Sequence, residues 1–274
     1  MRVAEWSTWG MSGKRNIHVL CIMVKPKKHL GQHFLHDQNI ARKIADSLTG
    51  FGDYKQVLEV GPGTGALTRF LLEHEEFVTS VAEVDSESVE YLKEHFKALE
   101  GRIFEKDFLR MDLDVFCDGP LAIAGNFPYN ISSQIVFHML DHREKVTEMV
   151  GMFQKEMAER IAEKPGTKTY GIISVLTQAF YRVEYLFTVH ENVFIPPPKV
   201  KSAVIRLQRN EVKDLGVDEK LFIRVVKAAF NQRRKTIRNS VKQLNPEKRE
   251  HALLDKRPEQ LSVAEFVELT RLLA

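Results

Sequence analysis

The stretch Gly125-Asn126-Phe127-Pro128-Tyr129-Asn130-Ile131 carries residue types suited to chemistry. It follows an apolar run, Pro120-Leu121-Ala122-Ile123-Ala124, that reads as a buried strand, and precedes an apolar-periodic helix from Ser132 to Leu140. A loop so placed lies at the carboxyl end of a strand, where open α/β sheets bind ligands. Asn126 offers a side-chain oxygen acceptor. Pro128 fixes φ, so the carbonyls around it point in set directions. Tyr129 offers a face on which a flat base can stack. Two acceptors and a stacking ring suit an aromatic amine, although Asn, Pro and Tyr also make ordinary turns.

A second constellation lies upstream. The strand Gln56 to Val60 runs into Gly61-Pro62-Gly63-Thr64-Gly65 and then a helix from Ala66 to Glu73. Glycines at a strand-to-helix turn let the backbone approach a ligand closely. The spacing is neither that of a dinucleotide fingerprint nor that of a P-loop, which needs a following Gly-Lys-Ser/Thr. The next strand, Val78 to Val84, places Glu83 at about the 20-residue spacing from which an acid can accept hydrogen bonds from ribose hydroxyls. Turn and acid together are more specific than either alone. Asp85 and Ser86 suit the cap of a helix from Glu87 to Leu99. A strand around Arg102 to Lys106 ends at Asp107-Phe108, which fits either a helix cap or an acid and aromatic that read and cover an adenine ring.

These loops need a scaffold. The remaining pattern supplies strands at Glu148 to Gln154, Val183 to Val189 and Ser202 to Leu207, with helices at Lys155 to Glu163 and Gly171 to Ala179. Ile195-Pro196-Pro197-Pro198-Lys199-Val200 reads as a stiff extended lead into the last strand. Alternating strands and helices predict an α/β fold with a mostly parallel, doubly wound sheet, whose closing strands can be antiparallel. A helix from Gln38 to Leu48, capped by Asp37, precedes the sheet. From Gln208 onward only helices are expected: Glu219 to Thr236 or beyond, Pro246 to Leu254, and Ser262 to Leu273 with a Ser262/Glu265 capping box. The predicted division is therefore a catalytic domain over 23–207 and a helical domain over 208–274. Residues 1–22 read as a disordered extension or a mis-assigned start, without a convincing signal peptide.

Composition narrows the function. Hydrophobic content of 43% with 28% charged residues is that of a soluble globular protein, and no apolar run is long enough to span a membrane. Cys21 and Cys117 form no CxxC pair, which fits a reducing cytoplasm and argues against a disulfide framework. His29, His33 and His36 lack an accompanying ligand set, and His138 and His142 lack a third ligand, so no metal is expected. The net charge of +3 does not itself argue for nucleic acid. Its clustering does: Arg233, Arg234, Lys235, Arg238 and Lys242 fall within Phe230 to Lys242 without an acid, a pattern that favours a polyanion-facing surface over a merely solvated face.

Taken together, Gly31-Gln32-His33-Phe34-Leu35, Glu59-Val60-Gly61-Pro62-Gly63, Glu83-Val84-Asp85, the Asn126 loop, Pro196-Pro197-Pro198-Lys199-Val200 and Ala229-Phe230-Asn231-Gln232-Arg233-Arg234-Lys235-Thr236-Ile237-Arg238 have a common parallel. The sequence resembles the bacterial small-subunit (16S) ribosomal RNA adenine N6,N6-dimethyltransferases from about Lys25 to the C-terminus. The last motif lies outside the generic methyltransferase core. The departures are His33, where the family often has Asn, and Phe127, where it often has Leu.

The resemblance implies a Rossmann-like S-adenosylmethionine-dependent methyltransferase domain followed by a small all-helical RNA-binding domain. It implies cofactor contacts from His33, Leu35, Gly61, Glu83, Asp107 and Asn126, with Glu83 on the ribose and Asp107 on the adenine amine. It places catalysis on Asn126, Phe127, Pro128 and Tyr129, and RNA contact on Arg233, Arg234, Lys235 and Arg238. The implied activity is dimethylation of the N6 amines of adjacent adenosines in the 3′-terminal hairpin of small-subunit rRNA, with S-adenosylhomocysteine as product. The implied setting is cytoplasmic ribosome biogenesis, by a monomer acting on a partly assembled small subunit. A large-subunit resistance methylase, a DNA adenine methyltransferase and a non-enzymatic RNA-binding factor are the rival readings. The Arg-rich segment and the triple Pro favour the small-subunit enzyme, and intact Glu83, Asp107 and Asn126 favour catalysis.

Overall fold

The structure is a computed structural model that describes residues 24–244 and 250–274. The segment 1–22 lies outside the described residues. The strands are β1 (Phe34–Leu35), β2 (Gln56–Val60), β3 (Val78–Glu83), β4 (Ile103–Glu105), β5 (Leu121–Asn126), β6 (Val146–Gln154), β7 (Tyr181–Val189), β8 (Phe194–Ile195) and β9 (Ser202–Arg209). The α-helices are α1 (Gln38–Ala45), α2 (Thr68–Leu71), α3 (Ser86–His95), α4 (Ser132–Asp141), α5 (Lys155–Ala162), α6 (Ile172–Gln178), α7 (Glu219–Asn231), α8 (Ile237–Ser240) and α9 (Val263–Leu273).

The main sheet has the order β4-β3-β2-β5-β6-β9-β7. From β4 to β6 all neighbours pair in parallel, and β9 lies antiparallel between β6 and β7. The expected doubly wound α/β sheet with antiparallel closing strands is therefore present. The central strands are apolar on both faces, as strands covered by helices on both sides must be: Val57, Leu58 and Val60 of β2 and Leu121 to Ala124 of β5 are all buried. From β2 the chain winds outward through β3 and β4. It then returns to place β5 on the other side of β2, which opens a crevice at the carboxyl ends of β2 and β5.

Two elements bring the amino-terminal segment to that crevice. The short strand β1 pairs antiparallel with β8. Asp37 caps α1 by accepting from the N–H groups of Asn39 and Ile40. After β9, the described chain is helical, and Phe222, Val226 and Phe266 of α7 and α9 join the same apolar cluster as Leu58 and Ile123 of the sheet. Ser262 and Glu265 form the expected capping box of α9.

The structure corrects several boundaries. Helix α1 ends at Ala45, short of Leu48. Helix α2 begins only at Thr68, because the glycine turn continues to Gly65, whose φ of +77° is left-handed. Helix α3 ends at His95, and a separate 3-10 turn spans Lys97–Leu99. Helix α7 stops at Asn231 instead of continuing through Thr236. The chain turns there so that Ile237 can be fully buried and donate its N–H to the carbonyl of Lys256 at 2.9 Å. The helix expected over Pro246 to Leu254 falls partly outside the described residues, and its described part is a 3-10 turn, Ala252–Asp255.

Candidate active site

The loop after β5 is shaped by the absence of side chains beneath it. The ring of Phe127 lies over Gly125 and Gly151; a Cβ would sit 2.6 Å from that ring at the first and 2.0 Å at the second. The ring is buried and meets Phe153 edge to face at 5.0 Å. Phe127 thus anchors the loop in the core, and its N–H donates to the Met152 carbonyl at 3.2 Å, leaving its carbonyl as the backbone group available to a ligand. Pro128 packs beside the glycine turn, 3.7 Å from where a Gly61 Cβ would stand. Ile131 N–H donates to the Pro128 carbonyl at 3.2 Å, and Ser132 Oγ to that of Tyr129 at 3.1 Å, so the loop is closed onto the start of α4.

Asn126 ends β5 and donates from Nδ2 to the backbone carbonyl of His33 at 2.9 Å. A carbonyl can only accept, so this contact fixes which end of the amide is the NH2 and leaves Oδ1 as a free acceptor. His33 has two further contacts. Its Nδ1 lies 2.8 Å from the Pro196 carbonyl, and its ring stacks on Tyr129 with centroids 5.3 Å apart. The Tyr129 hydroxyl in turn lies 2.6 Å from Ser202 Oγ. One face of the Tyr129 ring is therefore covered by His33, and Tyr129 also lines the cavity.

Across the crevice, Glu83 ends β3 and is 4% exposed. Its Oε1 accepts from the N–H groups of Val84 and Asp85 at 2.9 and 3.0 Å, and its Oε2 from Gly63 at 3.1 Å. Burial pushes this carboxyl above the usual carboxylate range, against the pull of the three backbone donors. Gly61 and Gly63 have φ of +68° and +54°, and a Cβ on Gly63 would come 2.7 Å from the Phe34 ring. Close approach of backbone is what this turn provides. Asp107 takes the first of the two roles its spacing left open. It caps the 3-10 turn Phe108–Arg110 by accepting from Leu109 N–H at 3.0 Å, and it also lines the cavity.

These residues surround one cavity of about 440 Å³, a size suited to a small-molecule ligand. His33, Gly61, Glu83, Asp107, Asn126, Phe127, Pro128 and Tyr129 all line it. Leu35 does not. It is buried and faces a smaller recess shared with Glu59, Thr64 and Asn126. Lys106, Leu109 and Gln134 also line the main cavity and were not singled out from the sequence, because nothing in their local pattern marks them. Glu59 was quoted only as part of a motif. It is fully buried, accepts from Thr68 Oγ1 at 2.6 Å, and burial pushes its carboxyl up to about 8.

Two charge expectations change. Asp85 occupies the N-cap position of α3, but its carboxylate makes no backbone cap contact. It instead pairs with Lys27 and accepts from Ser88 Oγ at 2.9 Å. Lys27 also pairs with Glu87 at 3.1 Å. The basic run does not share one helix face either. Arg233, Arg234 and Lys235 lie in the turn after α7, with Arg233 Nη2 donating to the Thr167 carbonyl at 3.2 Å. Arg238 on α8 pairs with Asp255 at 3.0 Å, an acid supplied from outside the run.

The cavity thus brings together a buried acid at the end of β3, an acid and an aromatic after β4, and a glycine turn of close approach. Comparison with known proteins gives the family. The pattern of the family described as "Ribosomal RNA adenine dimethylase" matches residues 23–274. A ribosomal RNA small subunit methyltransferase A of Cytophaga hutchinsonii is 57% identical over 253 residues, covering 92% of this chain and 98% of its own. A dimethyladenosine transferase structure from Plasmodium falciparum superposes with a TM-score of 0.72 at 25% identity, over 86% of this chain and 96% of its own. The structure of the 23S rRNA methyltransferase ErmE gives a TM-score of 0.64, also at 25% identity, over 86% of this chain and 99% of its own.

Proposed function

This chain belongs to the ribosomal RNA adenine dimethylase family, and on that premise we propose that it dimethylates the N6 amines of adjacent adenosines in the 3′-terminal hairpin of small-subunit rRNA. The methyl donor is S-adenosylmethionine, which when bound supplies a methyl group already activated by its sulfonium. The observation that carries the reading is the anchored Asn126 amide, with Oδ1 left as an acceptor in the same cavity as the buried Glu83 carboxylate. The much higher identity to the small-subunit relative than to ErmE favours the small-subunit substrate over the large-subunit one.

The chemical problem lies in the nucleophile, because the adenine N6 lone pair is delocalised into the ring. In this reading Asn126 Oδ1 and the Phe127 carbonyl accept from the N6 hydrogens. That draws the amine toward tetrahedral geometry and stabilises positive charge developing on nitrogen. The Tyr129 ring stacks on the base, which must be unpaired or flipped to enter. Because His33 holds Asn126 through its backbone and Tyr129 through its ring, a single residue sets the position of acceptor and platform together. The methylated N6 is acidic and releases its proton to water, so no side-chain base is required. The second methylation uses an amine with only one hydrogen left to donate. The pocket then holds the base by a single acceptor and the Tyr129 stack.

Glu83 orients the donor through its ribose hydroxyls, and Asp107 through the adenine amine. The turn 232–235, with the exposed Arg234 and Lys235, contributes backbone contacts to structured RNA. No helix among the described residues is long and apolar enough to cross a membrane. The proposed setting is the cytoplasm, where a monomer acts on a partly assembled small subunit. Mass spectrometry of small-subunit rRNA, incubated with and without the protein and S-adenosylmethionine, tests this directly. The expected product is dimethyladenosine at adjacent positions near the 3′ end. Absence of any new methyladenosine on both naked rRNA and immature subunits refutes it.

A further inference from the structure

One exposed segment borders the cavity without belonging to it. Ile195 to Lys201 crosses from β8 to β9, and its ends are tied to His33 and, through the adjoining Ser202, to Tyr129 of the catalytic loop. At one end the Pro196 carbonyl lies 2.8 Å from His33 Nδ1, and at the other Ser202 Oγ lies 2.6 Å from the Tyr129 hydroxyl. Three successive prolines, Pro196 to Pro198, restrict its backbone. A stiff strip is thereby fixed against the Tyr129 platform.

Its chemistry is that of a surface awaiting a partner. Ile195 is 40% exposed and Val200 47%, both among the most exposed large apolar side chains of the described residues. Lys199 and Lys201 flank Val200, are exposed, and join no ion pair among the described residues. The neighbouring Lys155, by contrast, is paired with Glu159 at 3.0 Å. No acid occurs between Ile195 and Lys201. Unpaired cations alternating with apolar side chains match single-stranded RNA, which presents phosphates and unstacked bases together.

We propose that the Ile195–Lys201 strip holds the nucleotides flanking the target adenosine, with Lys199 and Lys201 on phosphates and Ile195 and Val200 against unstacked bases. This rests on the rRNA methyltransferase reading and adds to it a second contact surface, beside the pocket and separate from the 232–235 turn. The strip acts where the flipped base leaves the strand. It steadies the RNA at the entrance, while the 232–235 turn grips the folded part of the substrate.

The experiment compares wild type with Lys199→Met/Lys201→Met and with Val200→Ser, using small-subunit rRNA and tritiated S-adenosylmethionine. Loss of two phosphate contacts should flatten the slope of log affinity against log salt by about 1.4. Over a fourfold rise in salt, the affinity of the double variant should then fall about sevenfold less than that of wild type. Val200→Ser should raise the KM for RNA without changing the slope. S-adenosylmethionine affinity and kcat at saturating RNA should stay at wild-type values in both variants. An unchanged slope and KM in the double variant overturns the strip, whereas a wild-type protein that methylates no rRNA overturns the underlying function instead.

Discussion

Replacing Glu83 by Gln separates what this side chain does for the fold from what it does for the ligand. A carboxylate offers roughly four acceptor sites. In Glu83 Oε1 accepts from two backbone N–H groups, at 2.9 and 3.0 Å, and Oε2 from one, at 3.1 Å, so the spare site is on Oε2. A Gln must keep its oxygen on the doubly donating side, toward Val84 and Asp85. Its NH2 then replaces Oε2, facing the Gly63 N–H and removing the acceptor for a ribose hydroxyl. A lost hydrogen bond to a charged group costs about 1.5–3 kcal/mol, which raises the Kd for S-adenosylmethionine by roughly 10- to 150-fold. The unsatisfied Gly63 N–H costs a further ~1–3 kcal/mol in stability and lowers Tm by roughly 2–12 °C. Calorimetric titration reads the first effect and thermal unfolding the second. Burial raises the Glu83 pKa, so in wild type cofactor affinity should begin to fall, as pH drops, at a higher pH than an ordinary carboxylate would give. A Glu83→Gln protein whose Kd stays within about twofold of wild type refutes the ribose contact.

Asn126→Ala should lower kcat by on the order of 10²–10³, as expected for losing one oriented polar group; a raised KM with unchanged single-turnover rate contradicts the alignment role. Glu59→Gln should flatten the pH dependence of stability. The Glu59 folded pKa of about 8 stands above its ordinary 4.5, so its contribution is complete below pH 4.5 and is lost as pH rises through 8. Urea unfolding across that window should show wild type losing a few kcal/mol relative to the variant. Gly151→Ala should cost roughly 1–3 kcal/mol by overpacking Phe127, and should lower activity with it because Phe127 anchors the catalytic loop. A Gly151→Ala enzyme with wild-type Tm and rate contradicts that anchoring.

Features encoded by local chemistry were legible in the chain before folding. A strand, a glycine turn and an acid at the end of the next strand are written in nearby residues, since only glycine takes the left-handed φ of Gly61 and Gly63 without penalty. The Asn126 loop and the Ser262/Glu265 capping box were legible for the same reason. Tertiary structure decided whatever depends on partners far along the chain. Asp85 read as a helix cap until Lys27 and Ser88 reached it, and Arg238 as polyanion-facing until Asp255 paired with it. Helix α7 ends at Asn231 with no Gly or Pro to stop it, because burying Ile237 outweighs continuing a solvated helix. The orientation of Asn126, on which the proposed chemistry rests, is set by the backbone carbonyl of His33 from a distant segment. A backbone carbonyl is carried by every residue type, so no side-chain pattern could have announced that contact.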